Sequence, residues 1–157
     1  MALLETVRAE RLAKIERLKE AGMEAYPART IRTHTIDEFL ENHTTLEKNS
    51  EQVVLAGRVM SIRKHGGSLF VDIFDGTKGQ CFVQKDKFGE SYDLFVGTVD
   101  TGDVIELAGT AFTTKRGQSS LGVTRWRMLA KSLRPLPDEW FGIKDEDERF
   151  RKRYLDI

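Results

Sequence analysis

Phe70 and Gln80 are the residues of this 157-residue chain whose types and setting best suggest chemistry, and that chemistry is binding. A phenyl ring on the outside of a strand offers a platform on which a nucleobase stacks, and an amide beside it can pair with the base edge. In Leu69-Phe70-Val71-Asp72-Ile73-Phe74, period-two alternation puts Phe70, Asp72 and Phe74 on one face and the aliphatic residues on the other. The aliphatic set makes the better core, which turns Phe70 outward. Gln80, Phe82 and Gln84 alternate in the same way against Cys81 and Val83, so Gln80 is expected to share a face with Phe70. Arg63, Lys64, Lys115 and Arg116 could hold phosphates. Each basic residue taken alone reads first as a solvated surface charge, whereas Phe70 is as readily a ring on the rim of the core as a stacking platform.

No catalytic constellation survives inspection. Asp72 and Asp75 are spaced like strand and turn residues, and Gly66-Gly67 lacks the downstream Lys-Ser/Thr of a phosphate cradle. The lone Cys81 and the scattered His34, His43 and His65 have no zinc spacing. We therefore expect no catalytic residue, metal or cofactor in this chain.

Charge sharpens the binding reading. The 25 basic and 25 acidic residues cancel, which argues against an indiscriminate polybasic binder. Residues 53–134 nevertheless carry 12 basic and 8 acidic side chains, while 1–52 carry 8 and 10 and 135–157 carry 5 and 7. The middle is thus a basic stretch between acid-leaning flanks. With 39% hydrophobic and 32% charged residues, the composition is that of a globular chain. The first 20 residues alternate acids and bases without an apolar h-region, so a cytoplasmic protein with no membrane partner is expected.

The elements that would position these residues follow from periodicity. Leu4, Val7, Leu12, Ile15 and Leu18 give an irregular helical stripe over 4–21, with Glu10 and Lys14 paired and Gly22 as a stop. Thr35-Ile36-Asp37-Glu38 predicts a capping box opening a short helix to about residue 43. Residues 42–52 have one apolar side chain, Leu46, and read as a loop. From residue 53 the texture is β-rich: a first strand of about a dozen residues, bulged or bent at Gly57, and strands at 69–75 and 80–84. A helix-containing insert follows over 86–99, then strands at 104–113 and 120–133 around a hairpin tip at 115–118. That order is the five-stranded Greek-key barrel called the OB-fold, mainly β, with N-terminal helices and a helix between strands three and four. An SH3-like barrel or small sandwich has a similar strand count. Trp126 is expected inside. Acids first and bases later over 145–157 predict a C-terminal linker helix.

Several blocks resemble a known family. Gly57-Arg58-Val59-Met60-Ser61-Ile62-Arg63, Ser68-Leu69-Phe70-Val71-Asp72-Ile73, Gly79-Gln80-Cys81-Phe82-Val83 and Thr114-Lys115-Arg116-Gly117-Gln118 are similar to the N-terminal anticodon-binding domain of class II lysyl, aspartyl and asparaginyl tRNA synthetases. Leu133-Arg134-Pro135-Leu136-Pro137-Asp138 and the closing Arg149-Phe150-Arg151-Lys152-Arg153-Tyr154-Leu155-Asp156-Ile157 resemble the lysyl type. The resemblance implies that Phe70 stacks on the central anticodon uridine, Gln80 hydrogen-bonds that base and Arg63 lies beside the same pocket. Gln118 stands where lysyl enzymes usually carry Glu, and contact with a neighbouring uridine is implied there. The resemblance further implies a helical appendage at 1–52, an anticodon-binding domain at 53–134 and a linker at 135–157. That linker would lead to a catalytic domain absent here, which binds ATP and Mg2+ in a homodimeric parent, so this chain should be inactive alone. The other readings are an aspartyl or asparaginyl domain, a stand-alone single-stranded RNA-binding module, and a protein-interaction module.

Overall fold

A 14-residue strand, β1 (Gln52–His65), organises the molecule because it serves two neighbours in turn. The computed structural model describes residues 2–136, 146–151 and 153. The first half of β1 pairs antiparallel with β4 (Val104–Thr113) and its second half with β2 (Ser68–Phe74). Around Gly57 the strand passes so close to β2 that a Cβ there would sit 3.0 Å from the Phe74 carbonyl oxygen. The register slip itself falls between Val59 and Ser61. The glycine expected to mark the bulge thus marks the close approach, and the bulge lies just beyond it.

β2 pairs with β3 (Lys78–Gln84), β3 runs parallel to β5 (Ser119–Ala130), and β5 returns antiparallel to β4. The order β1-β2-β3-β5-β4 closes on itself, which is the OB-fold connection and leaves no free strand edge. Inward residues fill the barrel: Val53, Leu55, Leu69, Val71, Ile73, Val83, Leu107, Leu121 and Met128 are all buried. Where β5 slips register against β4, Gly109 is paired with Val123, and a Cβ at Gly109 would overlap the carbonyl oxygen of the preceding Gly122. Any side chain at Gly109 would push the two strands apart.

Between β3 and β4 the insert forms two short helices, α4 (Lys85–Phe88) and α5 (Glu90–Thr98), where one had been expected. Phe95 of α5 is fully buried and meets Trp126 edge-on, with ring centroids 5.0 Å apart, so Trp126 is interior as anticipated. In front of the barrel stand α1 (Ala2–Glu20), α2 (Ile36–Glu41) and α3 (His43–Asn49). Thr35 and Glu38 form the full capping box of α2.

Residues 42–52, read as a loop, mostly belong to α3. The reason is that polar residues anchor it: His43 is buried against Phe39 with its Nε2 3.1 Å from the Phe112 carbonyl oxygen. Glu47 accepts hydrogen bonds from the Thr113 backbone and hydroxyl. Counting apolar residues could not register these contacts.

The α1 stripe needs the same revision. Ile15 and Leu18 are buried, but Leu4 and Leu12 are exposed. Docking is instead polar. Arg11 donates to the Ser132 carbonyl at 2.8 Å, and Lys14 binds Asp100 at 2.6 Å rather than Glu10. Lys131, fully buried, sits 2.6 Å from both Asp100 and Asp103. At the other end of the chain the expected linker helix is represented by α6 (Glu146–Arg151). The rest of that expectation lies outside the described residues.

Candidate nucleic-acid interface

The outer face of β1, β2 and β3 assembles the residues singled out in the sequence. Ladder pairing sets Arg63 opposite Phe70, Phe70 opposite Phe82, and Asp72 opposite Gln80. Phe70 is half-buried, its ring 4.8 Å from that of Phe82, which in turn lies 5.7 Å from the ring of Phe112. The Arg63 guanidinium carbon lies 5.8 Å from the centre of the Phe70 ring, within cation–π range. The result is an aromatic row with a cation over one end.

Asp72 sits at the centre. Its side chain is 8% exposed, and its carboxylate accepts from Ser61 Oγ at 2.7 Å and Arg63 Nη2 at 3.2 Å, with Lys78 Nζ at 3.5 Å. Cations from two strands are thus gathered onto one carboxylate. Directly across the ladder, Gln80 is buried, and its Oε1 has no hydrogen-bond partner. A buried acceptor without a donor is costly. On the inner side, burial pushes the Cys81 thiol far up, with the Asp72 charge adding to it, so the sulfur stays protonated and unreactive.

Not every expected residue joins this cluster. Lys64 is exposed near the end of β1. Lys115, Arg116 and Gln118 occupy the exposed β4–β5 hairpin, closed by bonds between Thr114 and Gln118 and by Gly117 at φ +81°. The hairpin leads directly into Ser120, the ladder partner of Gln80, so it borders the same face. Sequence reasoning saw Asp72 only as an outward strand residue and passed over Ser61, Lys78 and Phe112. The available signal was an acid amid outward aromatics and bases; the convergence of three strands on it needed the register.

A concavity of about 520 Å³ lies against β4 and β5 and is lined by residues that include Met23, Ile31, Glu106, Arg125 and Arg127. Its carboxylate is already engaged: Glu106 accepts from Thr30, the Ile31 backbone and Arg127.

A closed five-stranded barrel carrying an outward aromatic row with a guanidinium over one end defines a nucleic-acid-binding OB domain. Comparison with known proteins agrees: residues 53–136 match the tRNA anticodon family described as OB-fold nucleic acid binding domain, and the chain belongs to that family. It is 41% identical over 157 residues, 98% of its length, to a lysine–tRNA ligase of Roseiflexus castenholzii, of which it covers 32%. It is 42% identical over 153 residues, 96% of its length, to a lysine–tRNA ligase of Pelotomaculum thermopropionicum, covering 29%. With the lysine–tRNA ligase of Methanoculleus marisnigri it shares 38% identity over 151 residues, 94% of its length and 30% of that protein. The chain therefore spans roughly a third of the length of the curated relatives it matches.

Proposed function

We propose that this chain reads the anticodon of a lysine tRNA. Phe70 stacks on the central uridine, Gln80 hydrogen-bonds its edge, and Arg63 closes the pocket. Gln118 contacts a neighbouring base, and Lys64, Lys115 and Arg116 hold the backbone. The observation carrying this reading is the union of Arg63, Phe70 and Gln80 on one face of the β1–β2–β3 ladder. Similarity to lysine–tRNA ligases over nearly the whole chain supports lysine tRNA as the partner.

In this reading residues 1–52 are a helical appendage, 53–134 the anticodon domain and 135–157 a linker. The ATP- and Mg2+-dependent lysylation of tRNA, in a homodimeric cytoplasmic ligase, falls to other residues than these. Among the described residues no helix is long and apolar enough to cross a membrane.

The test is a titration of the chain with an anticodon stem-loop carrying UUU and with variants changed at the central base. The reading predicts a clear loss of affinity on every central change. Equal affinity for all of them, with steep salt dependence, would mark a general single-strand binder, and no RNA binding at all would favour a protein-interaction module.

A further inference from the structure

We propose that α3 is the brace of the β4–β5 hairpin, and that His43 and Glu47 set the direction in which the 115–118 tip approaches an RNA bound on the neighbouring face. The proposal rests on the reading of that tip as a contact to the RNA backbone. β1 pairs with β4 only as far as Gln52 opposite Thr110. The last three residues of β4, Ala111–Thr113, run on beyond it. α3, which precedes β1 in the chain, meets Phe112 and Thr113 there.

His43 is buried, and its Nε2 lies 3.1 Å from the Phe112 carbonyl oxygen and 3.4 Å from that of Ser120. These two residues stand opposite one another in the β4–β5 ladder. Carbonyl oxygens only accept, so Nε2 carries the ring proton and holds both strands at the root of the hairpin. One turn further along α3, Glu47 takes Thr113 with both carboxylate oxygens, accepting from the backbone N–H at 2.8 Å and from the hydroxyl at 2.9 Å. Thr113 is the last residue of β4 and pairs with Ser119, the first of β5.

Beyond that pair the tip holds itself together. The Thr114 N–H donates to the Gln118 carbonyl oxygen, the Gly117 N–H to the Thr114 carbonyl oxygen, and the Gln118 N–H to the Thr114 hydroxyl. A unit bonded internally in this way swings as a whole about its root, so what fixes Thr113 also fixes Lys115 and Arg116 before RNA arrives. α3 is itself anchored: Leu46 is buried, and the Glu51 N–H donates to its carbonyl oxygen as the chain turns into β1. His43 and Glu47 touch no RNA in this scheme and are positioning residues. Glu47 is an acid at the root of a phosphate-binding hairpin, so by charge alone its loss would tighten RNA binding. By position its loss weakens binding, and the two effects have opposite signs.

The test is Glu47→Ala in the full 157-residue chain, titrated with a UUU anticodon stem-loop at fixed ionic strength. Affinity should fall by about three- to tenfold, within the range of coupling between neighbouring groups; unchanged or tighter binding overturns the proposal. Glu47→Gln keeps an oxygen for the Thr113 N–H and a donor for its hydroxyl, so it should bind as well as the unsubstituted chain, and a loss equal to that of Glu47→Ala counts against the brace. On a background of Lys115→Ala with Arg116→Ala, Glu47→Ala should cost nothing more; a second full loss there would place its effect elsewhere in the fold and overturn the proposal. In the RNA-free chain Glu47→Ala should speed hydrogen exchange at the Thr113 amide and lower the 15N order parameters of residues 115–118, and unchanged order at the tip contradicts the brace. If Lys115→Ala with Arg116→Ala leaves binding intact, the reading of the tip as an RNA contact fails and the brace with it. If that pair weakens binding and Glu47→Ala does not, the brace alone fails.

Discussion

Replacing Phe70 by alanine separates a binding role from a packing role, because the ring lies at the boundary between them. It is half-buried, outside the fully enclosed core, and its neighbours are the Phe82 ring at 4.8 Å and the Arg63 guanidinium at 5.8 Å. Losing a stacked base from an aromatic is worth about 1 to 3 kcal/mol, or roughly 5- to 150-fold in Kd. The stability cost should fall well short of the ~3–5 kcal/mol of a fully buried Phe→Ala change, since one side of the ring already faces out. Ile73→Ala, three residues along on the inner face and fully buried, supplies the converse. It should cost about 2–5 kcal/mol of stability and leave RNA affinity unchanged at temperatures where the protein is folded. Fluorescence anisotropy with a labelled UUU stem-loop at fixed ionic strength, beside urea unfolding of both variants, reads the two effects. If Phe70→Ala binds like the unsubstituted chain yet unfolds as readily as Ile73→Ala, the ring is core and the stacking argument fails.

Other consequences are more local. Lys131→Met leaves Asp100 and Asp103 facing each other without their shared cation; removing one partner of a buried ion pair costs about 3–5 kcal/mol, and a loss under about 1 kcal/mol by urea unfolding would show that water already compensates there. Burial raises the affinity of Asp100 and Glu106 for a proton, but hydrogen bonds from Lys131 and Lys14 to the first, and from Thr30, the Ile31 backbone and Arg127 to the second, outweigh it and hold both carboxyls below their ordinary values. Depressed carboxyls stabilise the fold above their unfolded values of about 4 and lose that contribution as pH falls through the folded ones. The melting temperature should therefore stay level from about pH 8 to 5 and drop below about pH 4, and a level profile into strong acid would contradict this linkage. Removing both hairpin cations, Lys115→Ala with Arg116→Ala, should weaken binding to all sequences alike and reduce the salt slope by about 1.4, at ~0.7 per single-strand phosphate contact; a change in base preference instead would give these residues a reading role.

What sequence could and could not reveal here follows from the nature of each signal. Strand alternation is a local property, so the outward setting of Phe70 and Gln80 was legible from Val71, Ile73, Cys81 and Val83 alone. The barrel order was legible too, because turn glycines and strand lengths leave few ways to connect five strands. α3 was missed because His43 and Glu47 bury and anchor it through polar contacts that hydropathy scores as solvent-facing. The stripe on α1 misled for the converse reason: Leu4 and Leu12 stay exposed while Arg11, Lys14 and Lys131 make the attachment. The role of Asp72 depends on residues from β1, β2 and β3 meeting at one level, and no spacing along the chain encodes that register.

Mapping the RNA footprint by NMR tests the central claim most directly. Titrating the isotopically labelled chain with a UUU anticodon stem-loop should shift the signals of Phe70, Gln80, Asp72, Arg63 and Phe82 together, with smaller shifts along the 115–118 hairpin, and the shifts at the first group should collapse when the central uridine is replaced. Shifts concentrated instead around Met23, Ile31, Arg125 and Arg127, or spread evenly over the basic surface whatever the base, would contradict the assignment of the outer β1–β2–β3 face as the anticodon reader.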